Sequence, residues 1–149
     1  MSVTAAGPAS RESAPRRLAA PTAVLAAVAA ATAYVGVVSP DQPRHYPVCP
    51  FLRVTGYWCP ACGGLRCAHA LTRGDLGAAL HDNALVVVAG TVAALVWLRW
   101  TYRTWRGLPT DLPVPDRRWG WAALGALLVF AVLRNTPWGG WLAPPRVPS

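Results

Sequence analysis

The apolar positions of this chain gather into three long runs, without the strict alternation that marks a half-buried strand. Leu18 to Val38 carries no charge over 21 residues. As a helix at ~1.5 Å per residue it reaches ~31 Å, the thickness of a bilayer core. Ala84 to Leu98 and Trp119 to Leu133 are uncharged runs of 15 residues, each only ~22 Å long, so their helices must borrow flanking residues. Aromatic side chains stand where such helices would leave a membrane. Trp97, Trp100, Tyr102 and Trp105 sit beside Arg99, Arg103 and Arg106; Trp119 and Trp121 precede the third run, and Trp138 and Trp141 follow it. The pattern predicts an all-α integral membrane protein with three transmembrane helices and one short interfacial helix.

The polar breaks set the boundaries. Residues 1–17, rich in Ala, Ser, Pro and Arg, read as a disordered tail. The first span is 18–38, the cysteine-bearing loop with its short helix 39–75, and the second span 76–100. A loop follows over 101–118, then the third span 119–138 and a loose tail 139–149. Pro40, Pro43, Pro47 and Pro50 predict extended or turn structure before the cysteines. The short helix is predicted from Pro60, a residue suited to a first helical position, to about Arg73, with Gly74 as its stop. Asp75 would then cap a new helix beginning at Leu76. The short helix would turn Leu65, Ala68 and Leu71 toward lipid or the spans. Arg16 and Arg17, the run after them and Ala31-Thr32-Ala33 also fit a cleaved signal peptide. The continuation through Tyr34 to Val38 favours a retained helix instead.

Composition agrees with the pattern. Of the 149 residues, 54% are hydrophobic and 13% charged, against about 25% charged in soluble domains. This disfavours both an ordinary soluble globule and a disordered chain. The net charge is +8, and all 14 basic residues are Arg. They flank the apolar runs in small groups instead of building one basic, aromatic-studded face, so nucleic-acid binding is a remote alternative. Arg99 to Arg118 holds five Arg in 20 residues, against four in the 45 from Ser39 to Asn83. The positive-inside rule then puts the N terminus and the 101–118 loop in the cytoplasm, and the cysteine loop and C terminus outside.

Cys49, Cys59, Cys62 and Cys67 all fall within 19 residues. An outer location permits disulfides, and spacing cannot choose among the three pairings of four cysteines. Cys59, Cys62, Arg66, His69 and Arg73 recur at helical intervals of three and four, so one reading is an activated thiol pair with Arg66 lowering the thiol pKa. A second is a disulfide or buried thiols pinning the loop. A third is a metal site. Cys59-x-x-Cys62 makes a half-site, and Cys49 with His45 would complete a set of four; zinc is the metal such a set would take. His69 lies too far along the helix to join it, and Cys67 points away from the Cys62 face. His81, Asp82 and Asn83 read as the polar start of a span or as a patch facing the cysteine loop. Arg134 reads as a snorkelling side chain at the end of the third span, with Asn135 opening a turn.

Cys49-Pro50-Phe51, Thr55-Gly56, Cys59-Pro60-Ala61-Cys62-Gly63, Arg66, Gly74-Asp75 and Asn83 together resemble a family of small bacterial membrane proteins, the domain of unknown function 2752 family. That family's pattern runs Cys-Pro, Thr-Gly, Cys-Pro-x-Cys-Gly-x-Thr-Arg-Ala, Gly-Asp, Asn-Pro-Leu. Leu133-Arg134-Asn135 to Pro137 and Leu142-Ala143-Pro144 resemble its ending, so the likeness runs from about Pro47 to Pro144, roughly two thirds of the chain. Leu65 replaces the family's Thr, Cys67 its Ala and Ala84 its Pro. The resemblance implies a multi-pass membrane protein with a cysteine-bearing outer loop, and no established activity.

The reading that follows is a non-enzymatic scaffold or accessory subunit of the bacterial cell membrane, its outer loop stabilised by Cys49, Cys59 and Cys62. Arg66, Asp75, Asn83, Arg134 and Asn135 would support that site. The alternative is a membrane thiol protein in redox exchange or metal handling. No cofactor beyond zinc is expected. The expected partners are the lipid bilayer and, through small-residue stretches such as Ala26–Ala31, another membrane protein or a second copy. Nucleic acid is not among them.

Overall fold

A computed structural model describes residues 14–40, 49–110 and 116–143. Every regular element among them is helical: α1 (Ala14–Val37), α2 (Pro50–Thr55), α3 (Gly64–Thr72), α4 (Leu76–Trp105), α5 (Arg117–Arg134) and a closing 3-10 helix (Pro137–Leu142).

Among the described residues two helices are long and apolar enough to cross a membrane, Arg16–Val37 within α1 and Leu76–Trp105. The third expected span forms a helix, α5, whose 18 residues include Arg117, Arg118 and Arg134. The α1 helix begins at Ala14, so residues 14–17 are helical and not part of a loose tail. Near its start Pro21 is buried, and its carbonyl accepts from Trp97 Nε1 at 3.1 Å. This bond ties α1 to α4.

The short helix starts later than expected. Pro60 to Gly63 forms tight turns, with Cys62 N donating to Cys59 O at 3.1 Å and Gly64 N to Ala61 O at 3.0 Å. Gly63 has φ 81°, a left-handed conformation that a helix interior does not contain, so α3 begins only at Gly64. Gly74, at φ 75°, turns the chain after α3. Asp75 then caps α4, its carboxylate accepting from Ala78 N at 2.8 Å. A helix expected from neither prolines nor pattern, α2, forms directly after Cys49, with Pro50 at its first position and Gly56 closing it at φ 73°.

The core is small. Cys67, Ala70 and Ala79 are buried where α3 lies on α4, with Val86 and Val87 packed against them. Leu65 and Leu71 on the other side of α3 are exposed, so the face turned to α4 is that of Cys67 and Ala70. On α1, Gly36 approaches Thr72. His69 Nε2 accepts from Arg73 Nε at 3.1 Å, which leaves Nδ1 to donate to Val35 O at 2.8 Å. These contacts seat α1 on α3.

Candidate functional site

The loop from Gly56 to Gly63, between α2 and α3, has no regular partner for its main chain. Buried peptide groups must still be satisfied, and three side chains from distant elements do this. Asn83 is completely buried. Its Nδ2 donates to Pro60 O at 2.8 Å and to Cys62 O at 3.0 Å. Its own backbone is extended (φ −164°, ψ 91°), which breaks α4 in two. Its Oδ1 accepts from Val86 N at 3.1 Å, so Asn83 acts as the cap of the second segment while its amide holds the loop.

Arg134, at the end of α5, is 1% exposed. Its Nη1 donates to Cys59 O at 2.9 Å, Cys62 O at 3.1 Å and, weakly, Pro60 O at 3.5 Å. Its Nη2 donates to Asp82 O at 3.3 Å, beside the break in α4. The guanidinium lies over the Phe130 ring, 5.1 Å from its centroid. Arg134 is therefore an internal tie and does not snorkel. Next to it, Asn135 accepts from Trp58 N at 2.8 Å and donates to Trp58 O at 2.8 Å. The α5 C-terminus thus grips the segment before Cys59, and Asn83 and Arg134 grip the one after.

Within this frame the Sγ atoms of Cys49, Cys59 and Cys62 all lie within 4.8 Å of one another. Cys59 Sγ is 2.8 Å from Cys62 Sγ and 3.5 Å from Cys49 Sγ. All four cysteines are free thiols. The Cys49 thiol is held below its ordinary range chiefly by the backbone N–H of Leu52, with smaller help from the Cys62 and Cys59 thiols and Phe51 N–H, against partial burial. Burial, followed by the Cys59 and Cys49 hydrogen bonds, pushes Cys62 up to about 12. Of the trio, the Cys49 thiol is thus the one pulled down and the Cys62 thiol the one pushed up. Neither Arg66 nor Arg134 is among the causes of these two shifts; the guanidinium hydrogen-bonded to the loop is that of Arg134.

Cys67 stands apart from the trio, fully buried in the α3–α4 core. Asp75 caps α4. His69 is engaged with α1, and His45 lies outside the described residues. The frame contains two participants that sequence reasoning missed. Trp58 contributes only main-chain atoms, which leave no trace in residue type. Gly139 packs so closely on α5 that a Cβ there would overlap the Leu133 carbonyl.

Residues 49–97 match the family described as protein of unknown function (DUF2752). The DUF2752 match begins at the first cysteine of the trio and ends within α4, taking in Asn83 and all four cysteines. Arg134 and Asn135 lie beyond the matched residues, although they complete the frame. The chain matches no curated protein and no solved structure.

Proposed function

We propose that this protein is a membrane-spanning thiol protein whose Cys49, Cys59 and Cys62 hold a thiophilic metal ion. The observation that carries the reading is the convergence of three sulfur atoms within 4.8 Å. A disulfide needs two sulfurs, and soft thiolate ligands suit zinc, copper(I) and related ions. The scaffold reading uses the cysteines as a staple for the loop. Yet hydrogen bonds from Asn83, Arg134 and Asn135 already fix that loop, which favours chemistry over stapling. The 2.8 Å approach of Cys59 to Cys62 supports thiol–disulfide exchange as the second reading.

Three spans complete the proposal. The α5 helix would be the third, at ~27 Å for its length. Leu124, Leu127, Leu128, Val129 and Val132 are exposed along it, and exposed Trp119, Trp121, Trp138 and Trp141 stand at its ends. The cysteine loop and the C terminus would share the outer side, with the N terminus in the cytoplasm. Enzymatic turnover forms no part of this reading.

The test is metal analysis of the full chain, purified in detergent under reducing, oxygen-free conditions. One equivalent of thiophilic metal is expected, lost in Cys59→Ser and Cys62→Ser at unchanged protein level. Failure of the reduced protein to retain or take up any such ion would overturn the metal reading. A fall in protein level in every cysteine variant would return the cysteines to a structural role.

A further inference from the structure

We infer that Arg134 is the built-in countercharge of the thiol centre, and that the centre therefore takes a divalent ion on three thiolates. The inference rests on the metal reading above and names the class of ion and the residue that sets it.

A buried guanidinium cannot lose its proton and is costly without an anion nearby. Arg134 is 1% exposed, and all its hydrogen bonds end on main-chain carbonyls. Among the described residues no carboxylate accepts from it. Its Nε–H is buried with no partner at all. The carbonyls it binds belong to Cys59, Pro60, Cys62 and Asp82, so its charge is fixed on the turn that carries two of the three sulfurs. Among the described residues, the acidic groups this turn itself carries beside the guanidinium are the Cys59 and Cys62 thiols, and theirs are the charges that act on Arg134.

Charge balance then selects the ion. Around a buried guanidinium a neutral assembly is favoured over a charged one. Three thiolates, one guanidinium and one divalent ion carry no net charge together. A monovalent ion on the same three thiolates leaves one negative charge over, and a divalent ion without Arg134 does the same. Arg134 acts through the field at the sulfurs and is a positioning residue for the loop as well; the two roles separate experimentally.

The experiment titrates Co2+, then Zn2+ in competition, into the reduced full-length protein in detergent. Sulfur-to-cobalt charge-transfer absorption reports thiolate coordination. Wild type is expected to bind one Co2+ with absorption scaling to three thiolates. Arg134→Gln should weaken Co2+ and Zn2+ roughly tenfold or more, and Arg134→Lys should recover most of that loss. Equal weakening by Gln and Lys would overturn the inference, because geometry and not charge would then be the cause. Unchanged affinity in Arg134→Gln would also overturn it.

Should Arg134→Gln fail to fold, Phe130→Glu keeps the arginine and sets a carboxylate one helical turn before it, where the ring now lies over the guanidinium. It should weaken Co2+ binding at least tenfold relative to Phe130→Gln. Equal binding by these two variants would sink the countercharge role. A wild type that binds neither Co2+ nor Zn2+ would instead defeat the underlying metal reading.

Discussion

Asn135 and the main chain of Trp58 clasp each other through two hydrogen bonds of 2.8 Å, across 77 positions of sequence. The side-chain amide completes Trp58 as a neighbouring strand would, and a third bond to Ala131 O at 2.7 Å anchors it to α5. Asn135→Ala leaves both peptide groups of Trp58 without partners. The expected cost is about 2 kcal/mol, read as a lower melting temperature in detergent. Asn135→Asp should be no better, since a carboxylate cannot donate to Trp58 O. A wild-type melting temperature in either variant would show the clasp to be dispensable.

Asn83 does two jobs that substitutions can separate. Asn83→Ser keeps an oxygen to cap the second α4 segment but loses the donors to Pro60 O and Cys62 O. Asn83→Ala loses both functions. Stability should fall in the order Asn, Ser, Ala, with the last step about 1 kcal/mol. In both variants the buried Cys62 should react faster with a maleimide, because the turn that covers it is released. Unaltered Cys62 labelling would contradict the role assigned to the amide.

Cys67 should resist alkylation in the folded, reduced protein and react only after denaturation. Burial, and then the nearby Asp82 carboxylate, raise its pKa above the ordinary 9.0. Stability from holding this thiol neutral is complete below the ordinary value and drains away as pH climbs toward the folded one. Cys67→Ala should blunt that alkaline loss, measured by thermal melts across pH. Cys67→Ser should cost about 1–3 kcal/mol by burying an unpaired hydroxyl.

In the metal-free, reduced protein the thiols should label in a fixed order. Cys49, whose thiol is pulled down by Leu52 N–H, should react faster near neutral pH than Cys62, whose thiol burial pushes up. Mass spectrometry after timed pulses of maleimide checks this. Equal rates for Cys49 and Cys62 would contradict the asymmetry.

Gly139→Ala should displace the 3-10 helix, since the added methyl meets the Leu133 carbonyl. A loss of about 1–3 kcal/mol is expected, and, because Leu133 adjoins Arg134, weaker protection of Cys62 with it. A fully stable variant would show that this close approach can relax.

Much of the helical layout was legible in the order of residues, for a simple reason: long apolar runs and their breakers act locally. Leu18 to Val38 is uncharged and long, and all but its last residue lies in α1, a helix long and apolar enough to cross a membrane. Gly74 and Asp75 end one helix and begin the next because their conformational and hydrogen-bonding preferences operate within a turn. The same local logic explains Ala84, where the resembled family carries Pro. That position opens the second segment of α4, where a missing N–H costs nothing. Local signals misled at Pro60, because the left-handed Gly63 three residues later delays the helix.

What residue order could not decide was which distant groups meet. It marked Cys49, Cys59 and Cys62 as a candidate set, but their convergence within 4.8 Å depends on how the loop is folded back. It attached the site's charge to Arg66, the nearest arginine along the helix. The tertiary structure attaches it to Arg134, 72 positions beyond Cys62. Asn83, read either as an interfacial polar residue or as part of a patch facing the cysteine loop, is a buried tie of that loop for the same reason. A main-chain carbonyl carries no sequence signal, so the side chain that will satisfy it is known only once the elements are packed.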